Sequence, residues 1–104
     1  MLFRSLLLDY VDRAEAVEDT AATAWGLHQL GSRALCLGDG LAARACLVQA
    51  RDLRWRMGDR AGAAVTQRNL DLVPALAPTR SAKRSRLAAW SFRFRGRQTG
   101  RAPR

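Results

Sequence analysis

His28 is the only histidine in the 104-residue chain, and Ser32 follows it by four positions, so a helix would set both side chains on one face. A Ser–His pair is the start of a nucleophilic centre, but acyl transfer also needs an acid to orient the imidazole and donors for the oxyanion. Neither accompanies this pair, which therefore reads as an ordinary surface contact. A metal site would have to join His28 to Cys36, eight residues on, or to Cys46, and no C-x-x-C or H-E-x-x-H spacing occurs. Nucleotide chemistry lacks its loop as well: the single lysine, Lys83, follows Ala82 instead of closing a Gly-rich run with Gly-Lys-Ser or Gly-Lys-Thr. The expectation is a chain that is no enzyme and takes no cofactor, no metal and no small-molecule substrate.

A second group of residues suits binding. Between Arg84 and Arg97, the cations Arg84, Arg86, Arg93, Arg95 and Arg97 interleave with Leu87, Trp90, Phe92 and Phe94. Arginines could contact phosphates while the aromatics stack on unpaired bases or enter a lipid interface, and counterion release would make such binding weaken with salt. Seventeen of the 18 basic residues are arginine, however, and Ala and Gly abound. A GC-rich coding sequence produces such usage unselected, so the same stretch also reads as an extension, or a frameshifted end, with no role.

The charge divides the chain in two. Met1 to Val73 holds nine arginines and all nine acids, whereas Pro74 to Arg104 holds nine basic residues and no acid, which accounts for the whole net charge of +9. Pro74, Pro78 and Pro103 with Gly96 and Gly100 break regular structure in the second part, and its like charges repel, so residues 74–104 are expected to form a disordered arginine-rich tail. At 104 residues and 48% hydrophobic content there is room for one small domain. Leu6-Leu7-Leu8 is cut short by Asp9, too soon for a secretory h-region or a membrane span, and the expected address is the cytoplasm. Two cysteines make no disulfide framework and read as small apolar residues.

What must position the first group is a set of helices. Trp25, Leu27, Leu30, Ala34 and Leu35 recur at helical spacing, as do Leu41, Ala45, Leu47, Val48 and Ala50, continued by Leu53 and Trp55. Gly38-Asp39-Gly40 and Gly58-Asp59 punctuate them, glycine serving a C-terminal left-handed turn and Asp the next N-cap. The spacing predicts helices over about Leu2 to Ala16, Thr20 to Leu37, Leu41 to Arg56 and Arg60 to Val73, with no strand. Short connections between such helices predict antiparallel hairpins. Displacing the chain by 40 residues aligns Arg4 with Arg44, Leu7 with Leu47, Asp12 with Asp52, Asp19 with Asp59, Ala21 with Ala61, Ala24 with Ala64 and Leu30 with Leu70. A recurrence that keeps turn, contact and core residues in register is the mark of a helical solenoid.

The stretch Leu27, Leu30-Gly31, Ala34, Gly38-Asp39, Ala43, Leu47, Ala50 resembles one tetratricopeptide repeat, with apolar residues standing where that family often has aromatics. The run from Leu53 to Gly62 is similar to the joints of repeat arrays at the C-terminal end of bacterial signal-transduction NTPases and regulators, where the array senses or scaffolds. The resemblance implies an all-α fold: antiparallel helical hairpins of a short α-solenoid over residues 1–73. It spans fewer than two full repeats, which implies marginal stability, self-association, or a terminal piece of a larger regulator. Gly31, Ala43 and Ala50 would let two helix backbones approach while Leu30 and Leu47 fill the space beside them. Trp55, between Arg54 and Arg56, is expected to pack in the core or between repeats.

In the family the first helix of each unit lines a concave face. Carried over, that face would present Trp25, His28, Gln29 and Ser32 from one unit and Arg68 and Asn69 from the next, with an extended protein or peptide segment as the partner. The competing description is a set of ordinary solvated groove residues. The function expected from the resemblance is non-catalytic protein binding. The alternative is nucleic-acid or anionic-membrane binding through the tail.

Overall fold

The computed structural model describes residues 2–73, with side chains from Arg4 onward. All regular structure among them is helical: α1 (Leu2–Ala16), α2 (Thr20–Cys36), α3 (Gly40–Arg56) and α4 (Arg60–Asp71). None of these helices is long and apolar enough to cross a membrane. The expected disorder of 74–104 lies outside the described residues.

Three turns of one design separate the helices. Asp19, Asp39 and Asp59 stand 20 residues apart, and each carboxylate accepts from the backbone N–H three residues on, at Ala22, Ala42 and Gly62 (3.0, 3.2 and 2.9 Å). The residue before each Asp has positive φ: Glu18 at 58°, Gly38 at 78° and Gly58 at 79°. α1, α2 and α3 each close with paired bonds. For α2, Gly38 N–H reaches Leu35 O and Asp39 N–H reaches Ala34 O, and the same offsets recur from Glu18 and Asp19 and from Gly58 and Asp59. This is the Schellman arrangement, which requires a left-handed residue at its centre. α4 ends at Asp71, short of the expected Val73, because Pro74 disfavours helical geometry in the residue before it.

Residue pairs across each turn mirror one another. Gly26 lies against Val11, Gly31 against Leu47, and Arg54 bonds Gly62 and Thr66, so consecutive helices run antiparallel. Between α2 and α4 the pairs instead keep a constant offset, His28 with Thr66 and Ser32 with Asn69. These two helices therefore run parallel, side by side, with α3 packed against both.

The core gathers Val11, Leu27, Leu30, Cys46 and Leu47 with the fully buried alanines Ala24, Ala42, Ala43 and Ala50. Gly31 shows why small residues are needed. A Cβ there would stand 2.6 Å from Leu47 Cγ, closer than carbon atoms approach, and 3.2 Å from Cys46 Cβ, a tight contact. α2 thus approaches α3 closely at Gly31, and Ala43 and Ala50 of α3 are fully buried.

Three expectations need correction. Trp55 is 55% exposed and not packed inside, because position 55 falls on the outer side of α3 once Leu53 and Ala50 face the core. It is Arg54, next to it, that turns toward α4. Trp25 likewise stands outside the apolar seam of Leu27, Leu30 and Ala34, 45% exposed, its ring edge-on to Tyr10 of α1 with centroids 5.3 Å apart. Of the two cysteines only Cys46 acts as a buried apolar residue, since Cys36 in the last turn of α2 is exposed.

Candidate functional site

The parallel approach of α2 and α4 brings a polar cluster together. Four residues separate His28 from Ser32 and three separate Thr66 from Asn69, so each pair shares one helical face and the two faces meet. His28 Nδ1 lies 3.0 Å from Thr66 Oγ1, Asn69 Nδ2 donates to Ser32 Oγ at 2.8 Å, and Asn69 Nδ2 lies 3.5 Å from His28 Nε2.

Arg54 supports this cluster from α3. Its Nη1 donates to Thr66 Oγ1 at 2.8 Å and to the Gly62 carbonyl at 3.1 Å, and the Thr66 hydroxyl donates to the same carbonyl at 3.1 Å. Thr66 is fully buried, so its hydroxyl must be paired to avoid a desolvation cost of about 1–3 kcal/mol. With its hydrogen given to Gly62 and one lone pair taken by Arg54, Thr66 Oγ1 has one acceptor site left for His28. The assignment that satisfies every group is a neutral imidazole protonated at Nδ1, its Nε2 turned to the Asn69 amide. Burial lowers the pKa of His28 below its ordinary value, and the Arg54 guanidinium lowers it further.

A second chain of bonds joins α3 to α4 farther along: Arg51 Nη1 to Gln67 Oε1 at 3.0 Å, and Gln67 Nε2 to Asp71 Oδ1 at 2.7 Å. Arg51 also pairs with Asp52 at 3.0 Å.

Of the six residues assigned to a concave face, the structure unites His28, Ser32 and Asn69. Gln29 is partly exposed beside them and Arg68 is exposed on α4, and the side chains of both are free of hydrogen bonds to described residues. Trp25 belongs to a different contact, with Tyr10. His28 is held by Thr66 and Asn69, and no hydrogen bond links it to Ser32. Around the imidazole stand a hydroxyl, an amide and a guanidinium, and among the described residues no carboxylate is bonded to it; the cluster ties α2 to α4. Among the described residues no three of His, Cys, Asp and Glu converge as metal ligands would. The tail candidates Arg84, Arg86, Trp90, Phe92, Arg93, Phe94, Arg95 and Arg97 lie outside the described residues.

Thr66 and Arg54 escaped the sequence reading. A signal for Thr66 existed: it stands three after Ala63 and four before Leu70, within the apolar register of α4. Nothing local marks Arg54, whose partners sit across a turn.

No family model matches this chain, and no curated protein or solved structure matches it.

Proposed function

We propose that this chain is a non-catalytic protein-interaction module of the tetratricopeptide kind, acting in the cytoplasm, which receives an extended peptide segment of a partner along α2 and α4. The observation that carries this reading is the pairing of those two helices. They run parallel, locked by Ser32–Asn69 and His28–Thr66, while Gln29, next to His28 in the chain, and Arg68, next to Asn69, keep their donors unused. A fixed floor flanked by uncommitted polar groups is suited to a peptide backbone, since pre-organisation lowers the ordering cost of binding.

The cluster itself is the framework of the face, and the binding contacts fall to Gln29 and Arg68. Arg68 favours a carboxylate or a carbonyl-rich segment, because a guanidinium donates and never accepts. The test is selection from a library of ten-residue peptides with the full chain as bait, followed by titration of the selected peptide. Gln29→Ala combined with Arg68→Glu should weaken its affinity at least tenfold with the melting temperature held. Equal affinity for the doubly substituted chain removes the face from consideration.

A further inference from the structure

The 40-residue recurrence sets α1 in register with α3, so the same stations can be compared in two surroundings. On α3, Cys46 and Ala50 are fully buried, Cys46 beside Gly31 of α2. Their counterparts on α1 are Leu6 and Tyr10, both larger, yet 59% and 40% exposed. Val17, exposed beyond the end of α1, extends the same stripe, and Trp25 borders it through its contact with Tyr10. α1 thus presents an exposed apolar stripe that described residues cover only in part, where Tyr10 meets Trp25 and Gly26 of α2. The segment that carries it has a net negative charge: residues 9–19 hold Asp9, Asp12, Glu15, Glu18 and Asp19 with the one base Arg13, which pairs with Asp9, while Asp19 caps α2.

We infer that the cationic, aromatic segment Arg84–Arg97 of this same chain covers the outer face of α1. Three observations select that occupant. Residues 74–104 carry nine bases and no acid, the complement of that net negative segment. Leu87, Trp90 and Phe94 stand at i, i+3 and i+7, the anchor spacing with which an amphipathic segment enters an apolar helix face. The 14 residues 74–87 can span about 45 Å when extended, whereas helices packed at roughly 8–10 Å separate α4 from α1 by no more than about 30 Å. Tethering also gives the segment an effective concentration on the order of millimolar, so a weak contact suffices. A second copy docked through α4 is disfavoured, because where α2 places Leu27 and Gly31 against its neighbour, α4 has Gln67 and Asp71.

This surface lies on a different element from the proposed peptide face, and the experiment needs no partner, so the two readings fail separately. The full chain is prepared with p-benzoylphenylalanine at position 6, an exposed site, irradiated, and mapped by mass spectrometry. The expected product is a cross-link within one chain to residues 84–97. Adding Trp90→Ser and Phe94→Ser, or raising salt from 50 to 500 mM, should lower its yield at least fivefold, and so should Asp9→Arg with Asp12→Arg, while helical circular dichroism stays constant. Cross-links elsewhere, none at all, a product of dimer mass, or a yield indifferent to these changes would each overturn the assignment.

Discussion

Gly38 isolates one term of the energetics. Its φ is 78° and a Cβ would meet nothing within 4 Å, so Gly38→Ala brings no clash and only the left-handed backbone to strain. The expected cost is about 1 kcal/mol, and thermal melting should register it as a drop of roughly 4–8 °C. Glu18 holds the same station with a side chain, so the first turn already bears this strain. His28 supplies the pH dependence. Its folded-state pKa lies below the unfolded value near 6.5, so between the two the unfolded chain binds more protons. The stability contributed by the neutral, bonded imidazole is therefore complete above about pH 6.5 and is lost as pH falls from there through the lowered folded-state pKa. Urea midpoints should decline across that window for the wild type. His28→Gln, which cannot titrate, should flatten that part of the curve; an unaltered slope would show that His28 is not its source.

At the scale of elements, the nesting of α2 on α3 is the critical contact. Gly31 of α2 is crowded by Leu47 of α3, and Ala43, four residues before Leu47, is fully buried. Ala43→Trp should wedge the pair apart and cost roughly 1–3 kcal/mol of overpacking strain. A clear fall in melting temperature is expected; an unchanged melt contradicts the packing. The helix limits were almost wholly legible beforehand, since each Asp cap and the glycines before Asp39 and Asp59 act within a few residues of chain. The direction of Trp55 was not. Apolar spacing tells which residues prefer burial, but an amphipathic helix end offers more apolar positions than its neighbours can cover, and coverage is settled by what packs there.

For the molecule as a whole, the described domain of about 70 residues has a core that supplies only ~3–5 kcal/mol net. Leu47→Ala, at a fully buried position, removes about 2–5 kcal/mol. The expected outcome is loss of cooperative unfolding and of most helical circular dichroism at 37 °C, against a sharp transition in the wild type. A variant still melting cooperatively above 50 °C would show that stability comes from elsewhere, with association between copies the first thing to measure by sizing.

The candidate face was legible in part for the same reason. His28 and Ser32, four apart, are neighbours on any helix, and the 40-residue recurrence placed Asn69 in the following unit. What the amino-acid order settled unaided was local: four helices, their capping aspartates, the glycine turns and the small residues of the seam, all governed by interactions within a few positions of the chain. Only the tertiary arrangement decided that α2 and α4 lie parallel, that Arg54 of α3 satisfies the buried Thr66, that His28 stays neutral between Thr66 and Asn69, and that Trp25 and Trp55 face outward. Those outcomes depend on groups 12 to 41 residues apart along the chain, and their desolvation and hydrogen-bond balance exists only after the helices have met.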